Sequence, residues 1–269
     1  MWTAYFWSVA PALVFYAFST VRFDRGLGLA LAAAILSSWL VVLLGFSYGA
    51  LVADERDERG ALVLGAAFPN TGFLGYPLAH IAFGPAGLAL MVVYDRLAML
   101  VPSLSVSTTI ARLHGRKPTR RPGLAALVLN PPLHAAVGAV SVRLVDVDAG
   151  AVAEPLGAVA AALIGPAGFF LLGLMLSLER PSHGAGELRR AGGALLIRFA
   201  AAPLVLLGCG LALGASVPAV FYLAAAMPCA FHLLVLARVF DLRPQLVRLL
   251  VVGSTVPAVV AVVVVSAVS

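Results

Sequence analysis

Charge is the scarcest ingredient of this chain: Asp, Glu, Lys and Arg make up 11% of its 269 residues, against 62% hydrophobic residues. With a mean hydropathy of +1.03, a soluble domain of this length would lack the polar surface that keeps it dispersed. Cysteine is nearly absent, and Cys209 and Cys229 both lie within apolar runs, which argues against a disulfide framework. No basic segment precedes the first apolar run, so no cleavable signal is expected. His-Glu-x-x-His, paired intramembrane acids and a Ser/His/Asp set are all missing, which argues against an intramembrane enzyme. A nucleotide-binding signature is missing too, so ATP-driven transport by this chain alone is not expected. Neither a cofactor nor a metal is expected. The net charge of +6 does not point to nucleic acid, because the Arg residues fall in short loops between apolar runs.

What the chain has in abundance is apolar length. A membrane span takes ~20 apolar residues. By that measure helices are predicted near 3–20, 27–51, 60–82, 86–110, 124–144, 155–178, 188–212, 217–239 and 246–267. The fold class is therefore an all-α polytopic protein of about nine spans in a lipid bilayer. Lys and Arg collect in alternate loops, thirteen on one side against three on the other. Cytoplasmic loops carry that excess, so the N-terminus is expected in the cytoplasm, the C-terminus outside, and the protein in the cell's inner (plasma) membrane.

The stretch 66–80 breaks the apolar pattern with Pro69, Asn70, Thr71, Gly72, Gly75 and Pro77. Proline removes a helix hydrogen bond, and a freed backbone group in hydrocarbon needs burial or a wet cavity. A second mid-span proline, Pro228, follows an Ala-rich run and precedes Cys229, Ala230 and His232. The order of features repeats: proline-bearing span, plain span, broken span, plain span. By the charge rule the two broken spans run in opposite directions, so the repeats are inverted, an arrangement of transporters. The expected division is a first repeat over 1–110, a basic cytoplasmic loop over 111–123 and a second repeat over 124–269. The span at 124–144 has its counterpart ahead of residue 1, so the first repeat is expected to lack its first helix.

Pro69-Asn70-Thr71-Gly72-Phe73-Leu74-Gly75-Tyr76-Pro77-Leu78 resembles the fourth-helix motif of the auxin efflux carrier family. Tyr94-Asp95, Asn130-Pro131-Pro132-Leu133 and Met227-Pro228 are similar to further family motifs, in the family's order over essentially the whole chain. The resemblance implies ten helices in two inverted five-helix repeats and a crossover where the fourth and ninth helices break. It also implies a transport domain that moves against a scaffold, and often a homodimer.

Each break would end one half-helix and start another, and the N-terminus of a half-helix carries roughly half a positive charge. Two such ends meeting at mid-membrane favour an anion, so Pro69, Asn70, Thr71, Pro228, Cys229, Ala230 and His232 are the candidate substrate-binding residues. The competing reading of each break is a proline kink patched by neighbouring side chains. His232 is either a ligand or proton exchanger, or a histidine bonded between helices. His80 is expected to be interfacial and His134 structural. Asp95 and Arg96, adjacent on a helix, are expected to diverge by about 100° and not to pair. Asp95 is a candidate for coupling to a proton or sodium ion, or for pairing with Arg198; a short span with a snorkelling Arg96 is the alternative. Arg198 is the better candidate for balancing an anion. Asp54–Arg59 reads as a solvated surface turn. The sequence points to a carrier for a small organic anion working by alternating access, the alternatives being a channel or a binding-only sensor on the same fold.

Overall fold

The computed structural model describes residues 5–100, 102–117, 131–145, 149–175 and 184–268. Every regular element among them is a helix. That is the physical demand of a bilayer, where a helix satisfies its own backbone without a partner segment. In chain order they are α1 (residues 5–20), α2 (Arg25–Val52), α3 (Arg56–Ala67), α4 (residues 71–83), α5 (residues 85–100), α6 (residues 102–114), α7 (Pro131–Leu144), α8 (Gly150–Met175), α9 (Ala185–Ala212), α10 (Ala219–Ala225), α11 (His232–Phe240) and α12 (Pro244–Val268).

The predicted spans map onto these helices. Span 60–82 is α3 with α4, and 217–239 is α10 with α11, each cut in two at its proline. Gly84 separates α4 from α5, and its φ of 66° lies in the left-handed region that a side chain disfavours. Residues 3–4, 101, 124–130 and 176–178 of the predicted spans lie outside the described residues.

Helix α1 packs on α7 and α8 and also lies along α4 and α5, while α2, α3 and α9 pack together with α6 and α12. Along α2 the large residues face outward: Leu36, Trp39, Leu40 and Leu43 are exposed, while Ala30, Ala33, Ala34, Ser37 and Ser38 are buried. Such a division suits hydrocarbon, where association comes from close approach of small residues and water drives nothing inward. α3 is the most enclosed element, with every residue from Gly60 to Ala67 buried. A Cβ on Gly65 would sit 2.7 Å from Leu250 Cδ1, and one on Gly60 would sit 2.5 Å from His114 Cβ. Glycine at these two positions lets α12 and α6 reach the α3 backbone.

The Asp54–Arg59 stretch corrects the expectation of a solvated turn. α3 begins at Arg56, so Asp57 and Glu58 fall in its first turn and are 4% and 1% exposed. Arginines from distant segments reach them. Glu58 pairs with Arg190 at 2.6 Å, and Asp57 with Arg116 at 2.8 Å and Arg243 at 3.2 Å. Glu55 pairs with the same Arg116 and Arg243. Burial alone would lower the pKa of Arg243, but its hydrogen bonds and charge interactions with Glu55 and Asp57 outweigh that and raise it. Asp54 adds a contact with Arg190 at 3.1 Å, so four acids and three arginines tie the start of α3 to the segment after α6, to α9 and to the turn before α12 on the Arg-rich face. The mixed charges looked self-neutralising in sequence because their partners lie 59 or more residues away.

At the opposite face a cavity of about 1010 Å³ opens between α1, α8 and the α4–α5 corner, lined by Tyr16, Asp24, His80, Leu88, Glu154 and Gly157 among others. His80 borders it with a buried Nδ1 that has no hydrogen-bond partner among the described residues. His134 lies in α7 with an exposed side chain.

Candidate functional site

Helix α3 ends at Ala67 and α10 at Ala225, each a few residues before a proline that has no N–H to continue the ladder. The freed backbone groups find each other. Asn70 N–H donates to Pro228 C=O at 2.7 Å, and Ala230 N–H donates to Phe68 C=O at 2.9 Å. Pro69 and Cys229 therefore face one another as an antiparallel pair. Two chain breaks that would each be intolerable in hydrocarbon satisfy one another as a two-bond ladder. A simple kink patched by side chains does not describe them.

The carbonyls at the ends of α3 and α10 remain, and Arg198 takes them. From α9 its Nη1 donates to Ala67 O at 2.8 Å and Ala66 O at 3.3 Å, and its Nη2 donates to Ala225 O. The side chain is buried, and no carboxylate pairs with it among the described residues. The expected pairing of Arg198 with Asp95 is not found. Each helix C-terminus carries roughly half a negative charge, so one guanidinium balances both ends. The same count leaves the N-termini of α4 and α11 with about one positive charge between them.

The side chains at the two breaks differ. Asn70 closes the start of α4: its Oδ1 accepts from Phe73 N–H at 3.1 Å. Its Nδ2 is buried and has no partner among the described residues, and the residue is 2% exposed. At the second break Cys229 N–H donates to Ser254 Oγ at 3.0 Å, and its thiol points to Gly65 O at 3.1 Å. α11 has no side-chain cap. His232 lies edge-on to Phe68, ring centroids 6.3 Å apart, with a buried Nε2 that has no partner among the described residues. Phe73 and Phe231 stack at 6.0 Å across the crossover, one from each outgoing half.

Thr71 and Asp95 meet directly. The Thr71 hydroxyl donates to Asp95 Oδ1, and the Tyr76 hydroxyl donates to Asp95 Oδ2 at 2.6 Å. Arg96 pairs with the same carboxylate at 2.8 Å and also donates to Tyr76 Oη at 3.2 Å. The expectation that these neighbours diverge is overturned. Asp95–Met99 forms a wide π turn, which narrows the angle between adjacent residues, and the long arginine stem closes the rest. The carboxylate is thereby held against the first turn of α4, the positive end of that half-helix.

The structure brings Pro69, Asn70, Thr71, Pro228, Cys229, Ala230 and His232 to one crossover, with Asp95 attached through Thr71 and Arg198 beneath both half-helix ends. Sequence reasoning missed Tyr76 and Ser254. Tyr76 stands inside the motif that begins Pro69-Asn70-Thr71-Gly72, but its place there does not reveal that its hydroxyl reaches Asp95. Ser254 reads as one small residue among many in an apolar run.

A family model described as membrane transport protein matches residues 5–115 and 121–266. An uncharacterised transporter of Methanothermobacter thermautotrophicus is 30% identical over 204 residues. The match takes in 75% of this chain and spans 65% of that relative's length.

Proposed function

Because the chain belongs to the membrane transport protein family, the auxin efflux carrier-like group, we propose that it is a secondary carrier for a small organic anion, with the crossover as its binding site. One observation carries the reading. Asn70 has its acceptor oxygen engaged in capping α4, while its amide donor is buried and unpartnered beside two positive half-helix ends. Those groups together offer donors and positive potential, which suit a carboxylate and repel a cation.

In this reading the anion lies against Asn70 and the N-termini of α4 and α11, with His232 and Ala230 as neighbouring contacts. Arg198 acts from below, since it neutralises the opposite helix ends and so leaves the positive ends uncompensated. Helices α1, α7 and α8 serve as the scaffold, and the remainder carries the site past them. The ion pairs at the start of α3 all lie within the moving part and keep it one body, with the Arg-rich face in the cytoplasm.

The test is flux of radiolabelled carboxylates into proteoliposomes, with the wild type compared with Asn70→Ala. Saturable flux with counterflow, reduced at least tenfold in the variant, is the expected outcome. Flux that neither saturates nor shows counterflow would indicate a channel, and flux unchanged in the variant would remove Asn70 from the site.

A further inference from the structure

Resting on the crossover as the anion site, we propose that Asp95 is a resident counter-anion that limits the site to monocarboxylates. Three donors from different positions converge on this one carboxylate: the hydroxyls of Thr71 and Tyr76 and the guanidinium of Arg96. All three point hydrogens at it, so no ring of lone pairs is left for a sodium ion to occupy. Paired with Arg96, Asp95 brings a carboxylate against the first turn of the half-helix whose cap, Asn70, carries the amide donor that has no partner among the described residues.

Arg96 offsets the Asp95 charge, and the two half-helix N-termini contribute about one positive charge. One carboxylate is matched by that potential. A second carboxylate on the same ligand would meet Asp95 with nothing left to balance it, and like charges in a site of low polarity repel strongly. The selectivity is thus set by repulsion of the wrong ligand as well as attraction of the right one.

Purified protein in detergent is titrated calorimetrically with acetate, pyruvate and phenylacetate, then with malonate and succinate. The wild type is expected to prefer the monocarboxylates. Asp95→Asn should raise dicarboxylate affinity at least tenfold and monocarboxylate affinity only a few-fold. Arg96→Gln leaves Asp95 charged without its ion pair and should lower both classes at least threefold. A folding defect would weaken binding in both variants, so the opposite signs separate charge from damage. An unchanged ratio of the two classes in Asp95→Asn, or loss of both, overturns the inference while the anion site stands. Absence of binding by any of these acids to the wild type overturns the anion site and this inference together.

Discussion

At the first break Asn70 closes the helix end with its own side chain and keeps a donor in reserve, whereas at the second Cys229 relies on Ser254 from a neighbouring helix. Their backbones nevertheless form one reciprocal ladder, Asn70 to Pro228 and Ala230 to Phe68. The two breaks therefore share a backbone geometry and differ in chemistry. The first break holds a polar cap, a hydroxyl bound to Asp95 and an unpartnered amide; the second holds a thiol, a methyl and a ring. Backbone pairing needs both halves, but in the proposed site recognition falls mainly to one.

The largest effect should come from removing what the two breaks share. Arg198→Met leaves the carbonyls of Ala66, Ala67 and Ala225 without their donor, at about 1–3 kcal/mol for each unsatisfied group. A fall in thermal stability of that order is expected, by differential scanning fluorimetry in detergent. A melting point within a degree or two of the wild type would mean that Arg198 does not hold both ends.

Next comes the support that only the first break has. Glu58→Ala takes from Arg190 its 2.6 Å partner and leaves it only the exposed Asp54 at 3.1 Å, and losing a hydrogen bond to a charged group costs about 1.5–3 kcal/mol. α10, which leads to the second break, starts at Ala219 after Pro218 with no acid in its first turn. Substituting Pro218 with Ala should therefore cost under about 1 kcal/mol, as surface changes away from special features do. Equal losses in the two variants would erase the difference in anchoring.

The chemical difference is sharpened by exchanging small residues at the two turns. Asn70→Ala should cut flux at least tenfold, while Cys229→Ala should leave it within about threefold, since the thiol meets only a carbonyl. Comparable losses would place the second break in recognition as well. The smallest effect is expected from Ser254→Ala, which takes the cap from Cys229 N–H and should cost about 1 kcal/mol in stability with flux retained. A larger loss than in Asn70→Ala would reverse the order of the two breaks.

Much of this was legible before the coordinates. Pro69 and Pro228 marked both breaks because a proline in hydrocarbon has few explanations. The Asn-Thr-Gly motif resembled the family to which the chain belongs. The side-chain partners were not legible. Arg198 was read as a partner for an anion or for Asp95, yet it serves carbonyls, which carry no signature in the residue code. Asp57 and Glu58 looked like surface charges because Arg116, Arg190 and Arg243 reach them only through the tertiary fold. Asp95 and Arg96 were judged by an ideal helical angle, and the π turn over Asp95–Met99 was invisible in composition. Periodicity reports on backbone and burial; long-range hydrogen bonds leave no period behind.

The ladder between the breaks also sets a timetable. Asn70 leaves the ribosome 158 residues before Pro228, the acceptor of its N–H. Until α10 and α11 enter the membrane, the first break has no second strand, and its carbonyl at Phe68 and amide at Asn70 must be served by water or lipid headgroups. The chain from α3 onward can insert but cannot settle, and its two halves commit to depth together. The crossover is thus a late feature of assembly, closed by two hydrogen bonds that neither break can make alone.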